Sequence, residues 1–232
     1  ELAAELNGAP HPKFNKDGTV IGLLKHIENY KWLFDQYGIT IKYNVITKDV
    51  EIDVPGKSFR LDNRNINYYV EVTSICGINK ISSDGMTDVI IAIANQNSYN
   101  PVKDWVGSAE WDGVDRISQV CETLTVEEGM ENWRNIALRK WMIGAYWMST
   151  NDNGDRYMKG TLVLQGEQSI GKTPFFNSLL GEMSKFFDDG IELDPSDKDS
   201  KSEALSNWIV ELGEIDSTMS KAHAGSLKAW LS

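Results

Sequence analysis

The residues Gly166-Glu167-Gln168-Ser169-Ile170-Gly171-Lys172-Thr173 fit the pattern GxxxxGK[ST] without mismatch. Those residue types at that spacing suit one task, gripping the phosphates of a nucleotide. Gly166 and Gly171 let the main chain turn tightly and bring N–H groups close to phosphate oxygens. Lys172 can reach the β- and γ-phosphates, and Thr173 can put a hydroxyl on Mg2+. The following stretch, Pro174 to Gly181, has helical apolar spacing and ends on glycine. The loop would therefore open a helix whose free N–H groups and positive dipole end face an anion. Pro174 falls in the first turn, where a missing N–H costs little. The candidate nucleotide-binding set is Gly166, Ser169, Ile170, Gly171, Lys172, Thr173 and Pro174.

A nucleotide hydrolase of this kind needs a second strand that delivers acids, one near the metal and one to polarise the attacking water. Trp208-Ile209-Val210 reads as a buried strand, followed by Glu211, Glu214 and Asp216. The usual arrangement is two adjacent acids, whereas here Leu212-Gly213 separates them. The assignment is Glu211 near the metal with Thr173 and Glu214 near the water, alongside Lys172 as the third catalytic group. The reverse order, and Asp216 as a further candidate, stay open.

The elements that must position these groups follow from periodicity. Thr161 to Gln165 is a short apolar run suited to a buried strand leading into the loop. Met130 to Thr150 reads as a long helix whose Trp133, Trp141 and Trp147 are expected in the core. Asp115 to Leu124 and Pro101 to Gly107 are further helices, and Asn100-Pro101 marks a boundary because the residue before proline is pushed out of helical conformation. Upstream, Glu1 to Gly18 looks like a lead-in, Val20 to Tyr37 an amphipathic helix, and Ile39 to Val54 a β-hairpin turning at Thr47-Lys48-Asp49. Asn63 to Gly77 and Met86 to Asn97 read as two short helices. A hairpin beside short helices fits either a winged-helix-like module that touches nucleic acid or a plain connector. The domain reading is an accessory region over 1–99 and a P-loop domain with a helical lead-in over 100–232.

Composition narrows the classes. The 232 residues carry 34 acids against 23 bases, a formal charge of −11. Between Gly181 and Asp216 lie eleven acids and three lysines, so that segment alone holds −8 of it. The mean field does not steer such a chain toward nucleic acid, so any DNA contact must be local. Lys221, His223 and Lys228 are candidates for it. Two cysteines without a CxxC and three histidines argue against a disulfide framework or a zinc module. No 18-residue apolar run is present, so no membrane span is expected. The start lacks the basic and apolar parts of a signal peptide, and a reducing cytosol is the expected compartment.

Several of these segments in order resemble the virulence-associated E family of phage and pathogenicity-island proteins. They are Tyr99-Asn100-Pro101-Val102-Lys103-Asp104-Trp105, Trp111-Asp112-Gly113-Val114-Asp115-Arg116, Leu162 to Thr173, and Trp208 to Asp216. The resemblance implies an α/β P-loop NTPase core like those of AAA+ and superfamily 3 helicases, preceded by a mostly helical region with a β-hairpin. It implies an ATPase and DNA helicase module of a primase-helicase, using ATP and Mg2+. It also implies a homo-oligomeric (hexameric) ring acting on single-stranded DNA beside a primase domain. Two departures stand out. The family usually has glycine where Ser169 stands. Its sensor residue and arginine finger lie beyond the position of Ser232, so this chain is expected to be part of a longer protein. A nucleotide-dependent interaction switch, or another P-loop phosphotransferase, remain alternatives.

Overall fold

The computed structural model describes residues 6–60, 63–151, 154–155, 158, 160–191, 194 and 197–212. The chain divides into two compact units, 1–99 and 100–232. Helices and small sheets make up both, and no barrel closes among the described residues.

The first unit opens with a 3-10 turn, Leu6–Gly8, and an antiparallel pair, β1 (Pro12–Phe14) and β2 (Val20–Leu23). Here the expected helix over Val20 to Tyr37 is corrected: its first residues are strand, and α1 spans only Ile27–Gln36. The β-branched Val20 and Ile21 favour pairing with β1, and the chain is extended at His26, whose Nδ1 accepts the first free N–H, that of Glu28, at 3.3 Å. The expected lead-in likewise contributes β1. Gly22 cannot carry a side chain: a Cβ there would meet the Lys80 carbonyl oxygen at 2.7 Å. α1 stops where Gly38 takes φ +65 and Ile39 N–H returns to the Phe34 carbonyl at 2.9 Å.

The hairpin forms as the alternation predicts, with β3 (Thr40–Asn44) antiparallel to β4 (Asp49–Asp53). Asn44 shapes its turn by accepting from Ile46 N–H at 3.0 Å and Thr47 N–H at 3.3 Å. Two helices follow, α2 (Arg64–Ile78) and α3 (Met86–Gln96), then a two-residue strand, β5 (Ser98–Tyr99), which joins β3 in parallel. Tyr30, Leu33, Phe34, Ile41, Val72, Met86 and Ala94 lie in one continuous core. Asn29, fully buried, locks β1 to α1: its amide donates to the carbonyls of His11 and Leu24, both at 2.8 Å, and accepts from His11 N–H at 2.9 Å.

The second unit runs α4 (Pro101–Val106), α5 (Arg116–Glu122), α6 (Glu131–Ser149), α7 (Lys172–Leu180), β6 (Phe187–Ile191), α8 (Lys198–Ala204) and β7 (Ile209–Leu212). β6 and β7 pair in parallel, with Asp188 opposite Val210 and Ile191 opposite Leu212. Asn100 caps α4, accepting from Lys103 N–H at 3.0 Å, and its amide donates to the Ser149 carbonyl at the end of α6. Two expectations are corrected here. Thr161 to Gln165 forms no strand; it alternates exposed and half-buried residues, and Val163 is 63% exposed. An apolar run becomes a buried strand only when a neighbouring strand takes up its backbone groups, and among the described residues no strand pairs with this one. Trp133 and Trp147 of α6 point outward, while Leu138 on the opposite face is buried.

Candidate functional site

The glycine-rich loop leads straight into α7. Gly171 sits at its N-cap with φ +94, and Ser169 is left-handed with φ +64. The first is the conformation glycine alone adopts freely; the second costs an L-residue about 1–2 kcal/mol. Gly171 is thus required for its backbone angle, since a Cβ there would meet nothing within 4 Å. Pro174 occupies the third helical position, where its missing N–H removes no intrahelical bond. Residues 166–170 are exposed, Ile170 at 62%.

Two side chains organise the site. Lys172 folds back over the loop, its Nζ donating to the carbonyls of Gly166 at 2.9 Å and Glu167 at 2.8 Å. Thr173 Oγ1 donates to Glu211 Oε1 at 2.8 Å, joining residues 38 apart in sequence. The other oxygen, Glu211 Oε2, is buried and has no hydrogen-bond partner. Glu211 lies inside β7 rather than after it, and so points from the sheet toward the start of α7. Leaving a carboxylate oxygen buried and unmatched costs roughly 1–3 kcal/mol. A hydroxyl and a carboxylate with one free oxygen form a hard donor set that fits Mg2+, which binds few protein ligands and keeps several waters. Among the described residues no three His, Cys, Asp or Glu side chains gather in one place, so a site of the structural-metal kind is not built from them.

Aromatic contacts to α6 hold the two halves of this site in place. Phe176 of α7 packs edge-on against Trp141 at 5.1 Å between centroids. At the start of β7, Trp208 donates its indole N–H to the Ala145 carbonyl at 3.0 Å and meets Trp105 of α4 edge-on at 6.4 Å. Its own N–H donates to the Phe186 carbonyl at 2.9 Å. Sequence reasoning took Trp141 as core and Trp208 as strand, and missed that both orient the acid and the helix. An aromatic residue at the base of each motif was the available signal.

The Trp111-Asp112-Gly113-Val114-Asp115-Arg116 segment is a clasp. Arg116 grips Asp112 with two bonds of 2.7 and 2.6 Å, and Trp111 donates its indole N–H to the Val114 carbonyl at 3.2 Å. Asp115 caps α5 by accepting from Ser118 N–H at 3.1 Å and binds Arg139 of α6 at 2.6 Å. Arg116 holds the Asp112 carboxyl far below the usual range, and Arg139 with Ser118 lowers that of Asp115 to about 2. The motif thus fixes α5 to α6.

The structure therefore brings Lys172, Thr173 and Glu211 together beside the loop of Gly166, Ser169, Ile170 and Gly171. Glu214 and Asp216, like Lys221, His223 and Lys228, lie outside the described residues. Within the acidic run that begins at Gly181, Asp197 caps α8, accepting from Ser200 N–H at 2.9 Å. No helix among the described residues is long and apolar enough to cross a membrane.

No curated protein matches the chain. A family model described as the Virulence-associated protein E-like domain matches residues 106–232, taking in the clasp, the loop and β7. That is more than half of the 232 residues, and the chain belongs to the virulence-associated protein E-like family.

Proposed function

We propose that the 100–232 unit binds ATP with Mg2+ and serves as the ATPase of a phage-type replicative helicase, with a P-loop NTPase core. The Thr173–Glu211 hydrogen bond carries this reading: it joins the end of the glycine-rich loop to an acid on a parallel strand, and leaves one acid oxygen free for a cation. The loop's main-chain amides and the start of α7 would bind the phosphates. Lys172 would leave the Gly166 and Glu167 carbonyls for a phosphate oxygen, a better partner for an ammonium than a neutral carbonyl. Thr173 and Glu211 would hold the cation, and Glu214 would take a proton from the attacking water. Magnesium supplies charge that offsets the negative charge of the transferring phosphoryl group.

Single-stranded DNA as the track, a homo-oligomeric ring and a primase partner belong to the same proposal and rest on family membership. The test is ATP turnover with and without single-stranded DNA, on this chain and on one extended past Ser232. DNA-stimulated turnover in the extended chain, abolished by Lys172→Ala and slowed by Glu214→Gln with ATP binding kept, supports a motor. ATP binding without turnover in both chains favours a nucleotide-dependent switch, a reading consistent with Lys172 having to leave its loop contacts.

A further inference from the structure

The first unit holds a cleft of its own. In the hairpin, Ile41 stands opposite Ile52 and Tyr43 opposite Val50, so all four share one face, the one that joins the core. Cover over that face is uneven: Ile41 is buried, while Tyr43, Val50 and Ile52 are half-buried. Where the cover runs out, a cleft of about 390 Å3 opens between β4, the start of α2 and the side of α3. That is room for one small molecule, since ligand sites span roughly 300–1,000 Å3. Residues 43–95 alone form it, and it uses none of the glycine-rich loop.

The floor is apolar, made by Val50 and Ile52 of β4 and Ile90 of α3. The rim is polar, lined by Asn65 and Tyr69 of α2, Asn95 of α3, and Lys48 and Asp49 at the hairpin turn. All five rim residues are exposed, and none of their side chains has a hydrogen-bond or ion-pair partner among the described residues. Each feature restricts what fits. An apolar floor beside a tyrosine takes a planar ring. Two carboxamides, each with a donor and an acceptor, match the edge of a heterocycle rather than a hydrocarbon. A carboxylate accepts from sugar hydroxyls, as acidic residues do in dinucleotide sites. An ammonium pairs with a phosphate. A docked helix would bring a row of apolar anchors, which a polar rim does not match.

We infer that this cleft binds a ribonucleotide, with the base on the floor and its edge at Asn65 and Asn95, the ribose hydroxyls at Asp49 and the phosphate at Lys48. A free nucleoside monophosphate and one residue of an RNA strand carry this same chemistry. Because the cleft is open and much of the ligand stays in water, a free monophosphate binds weakly, with a Kd on the order of 0.1–1 mM. Binding here does not depend on the glycine-rich loop, since no residue of that loop lines the cleft.

Titration of the full chain carrying Lys172→Ala with the four ribonucleoside monophosphates tests this, followed by the side-chain amide resonances of Asn65 and Asn95. The substitution keeps the glycine-rich loop from contributing. The expected result is saturable binding of at least one of the four, weakened about tenfold by Asn95→Leu with the thermal melt unchanged. Lys48→Ala should weaken the monophosphate about tenfold and leave the affinity of the bare nucleoside as it was. Asp49→Ala should abolish the preference for the ribonucleotide over its 2′-deoxy form. A short RNA strand of the preferred base separates the two sources: binding at least tenfold tighter than the monophosphate identifies a strand, and equal affinity identifies the free nucleotide. Failure of all four to saturate by about 10 mM, tenfold above the expected range, overturns the inference. So does binding indifferent to Asn95→Leu and Lys48→Ala, or binding in the parent that Lys172→Ala removes, which would assign it to the glycine-rich loop.

Discussion

The two units of this chain are built on different terms. In the first, Tyr30, Leu33, Ile41, Val72, Met86 and Ala94 close one core from α1, α2, α3 and β3. In the second, the described buried side chains fall into smaller groups: Val102 on α4, Cys121 on α5, Leu138 on α6, Leu180 on α7 with Met183 and Phe186 just after it, and Ile191 and Ala204 clustered against Val210 and Leu212. Much of the second unit's order comes instead from directed contacts: the Asp112–Arg116 and Asp115–Arg139 pairs, the Trp208 indole, and the Thr173–Glu211 bond. The unit with the thinner described core is the one that carries the loop and the acid. Burial makes a unit stable without making it a site, and directed polar contacts place reactive groups while leaving them reachable.

Removing the same atoms from each unit sharpens this contrast most. Leu33→Ala should destabilise the first unit by about 3–5 kcal/mol, because a fully enclosed site cannot collapse around the cavity. Leu138→Ala, the one buried residue on a helix whose other positions are half-buried or exposed, should cost only about 2–3 kcal/mol. Urea unfolding followed separately for the two units measures both; equal losses would break the contrast. Next in size, Glu211→Gln should stabilise the nucleotide-free protein by about 1 kcal/mol, since an amide ends the burial of a charged oxygen without a partner. Its cost should appear as lost Mg2+-dependent nucleotide affinity.

Ser169→Gly should add up to about 1 kcal/mol by relieving a left-handed serine. A thermal melt that falls with this substitution would show the loop is not strained. The backbone at this position asks for glycine, so the serine found there is a departure with a physical cost.

The smallest effects come from pH, and the two units should respond at opposite ends. Burial pushes the Cys76 thiol from 9.0 up to about 12. That contribution to the first unit is complete below pH 9.0 and is lost as pH rises toward about 12, because the unfolded thiol ionises first. Alkylation of Cys76 near pH 9 should therefore follow opening of the unit. Asp115 is lowered from 3.8 to about 2. Its support for the α5–α6 clasp is present above pH 3.8 and fades as pH falls through about 2. The amide resonances of Val114 and Ser118, which donate to Asp112 and Asp115, should shift in acid while Cys76 stays protected.

Local signals were legible in the sequence where they were self-contained. The hairpin over Thr40–Asp53 showed in its alternation, α4 in Asn100-Pro101, and α7 in the loop before it. What failed depended on a neighbour. Val20 to Leu23 carried helix-compatible spacing but found β1 to pair with. Thr161 to Gln165 had strand composition and found no partner among the described residues. Trp133 and Trp147 were large and apolar, and so read as core, yet lie on the outside of α6. Periodicity tells which residues share a face and says nothing about what covers it. Spacing singled out Lys172 and Thr173 and offered Glu211, Glu214 and Asp216 as the acids, because the chemistry restricts the residue types, and Glu211 is the one of the three that the described residues set against Thr173; the aromatic supports at Trp141 and Trp208 could not be picked out, because packing imposes no such restriction.

Calorimetric titration of the chain with ATP, with and without Mg2+, bears most directly on the site. The expected result is saturable binding that is tighter with Mg2+, abolished by Lys172→Ala and stripped of its Mg2+ dependence by Thr173→Ala. Equal ATP affinity in the parent and in Lys172→Ala would contradict the account.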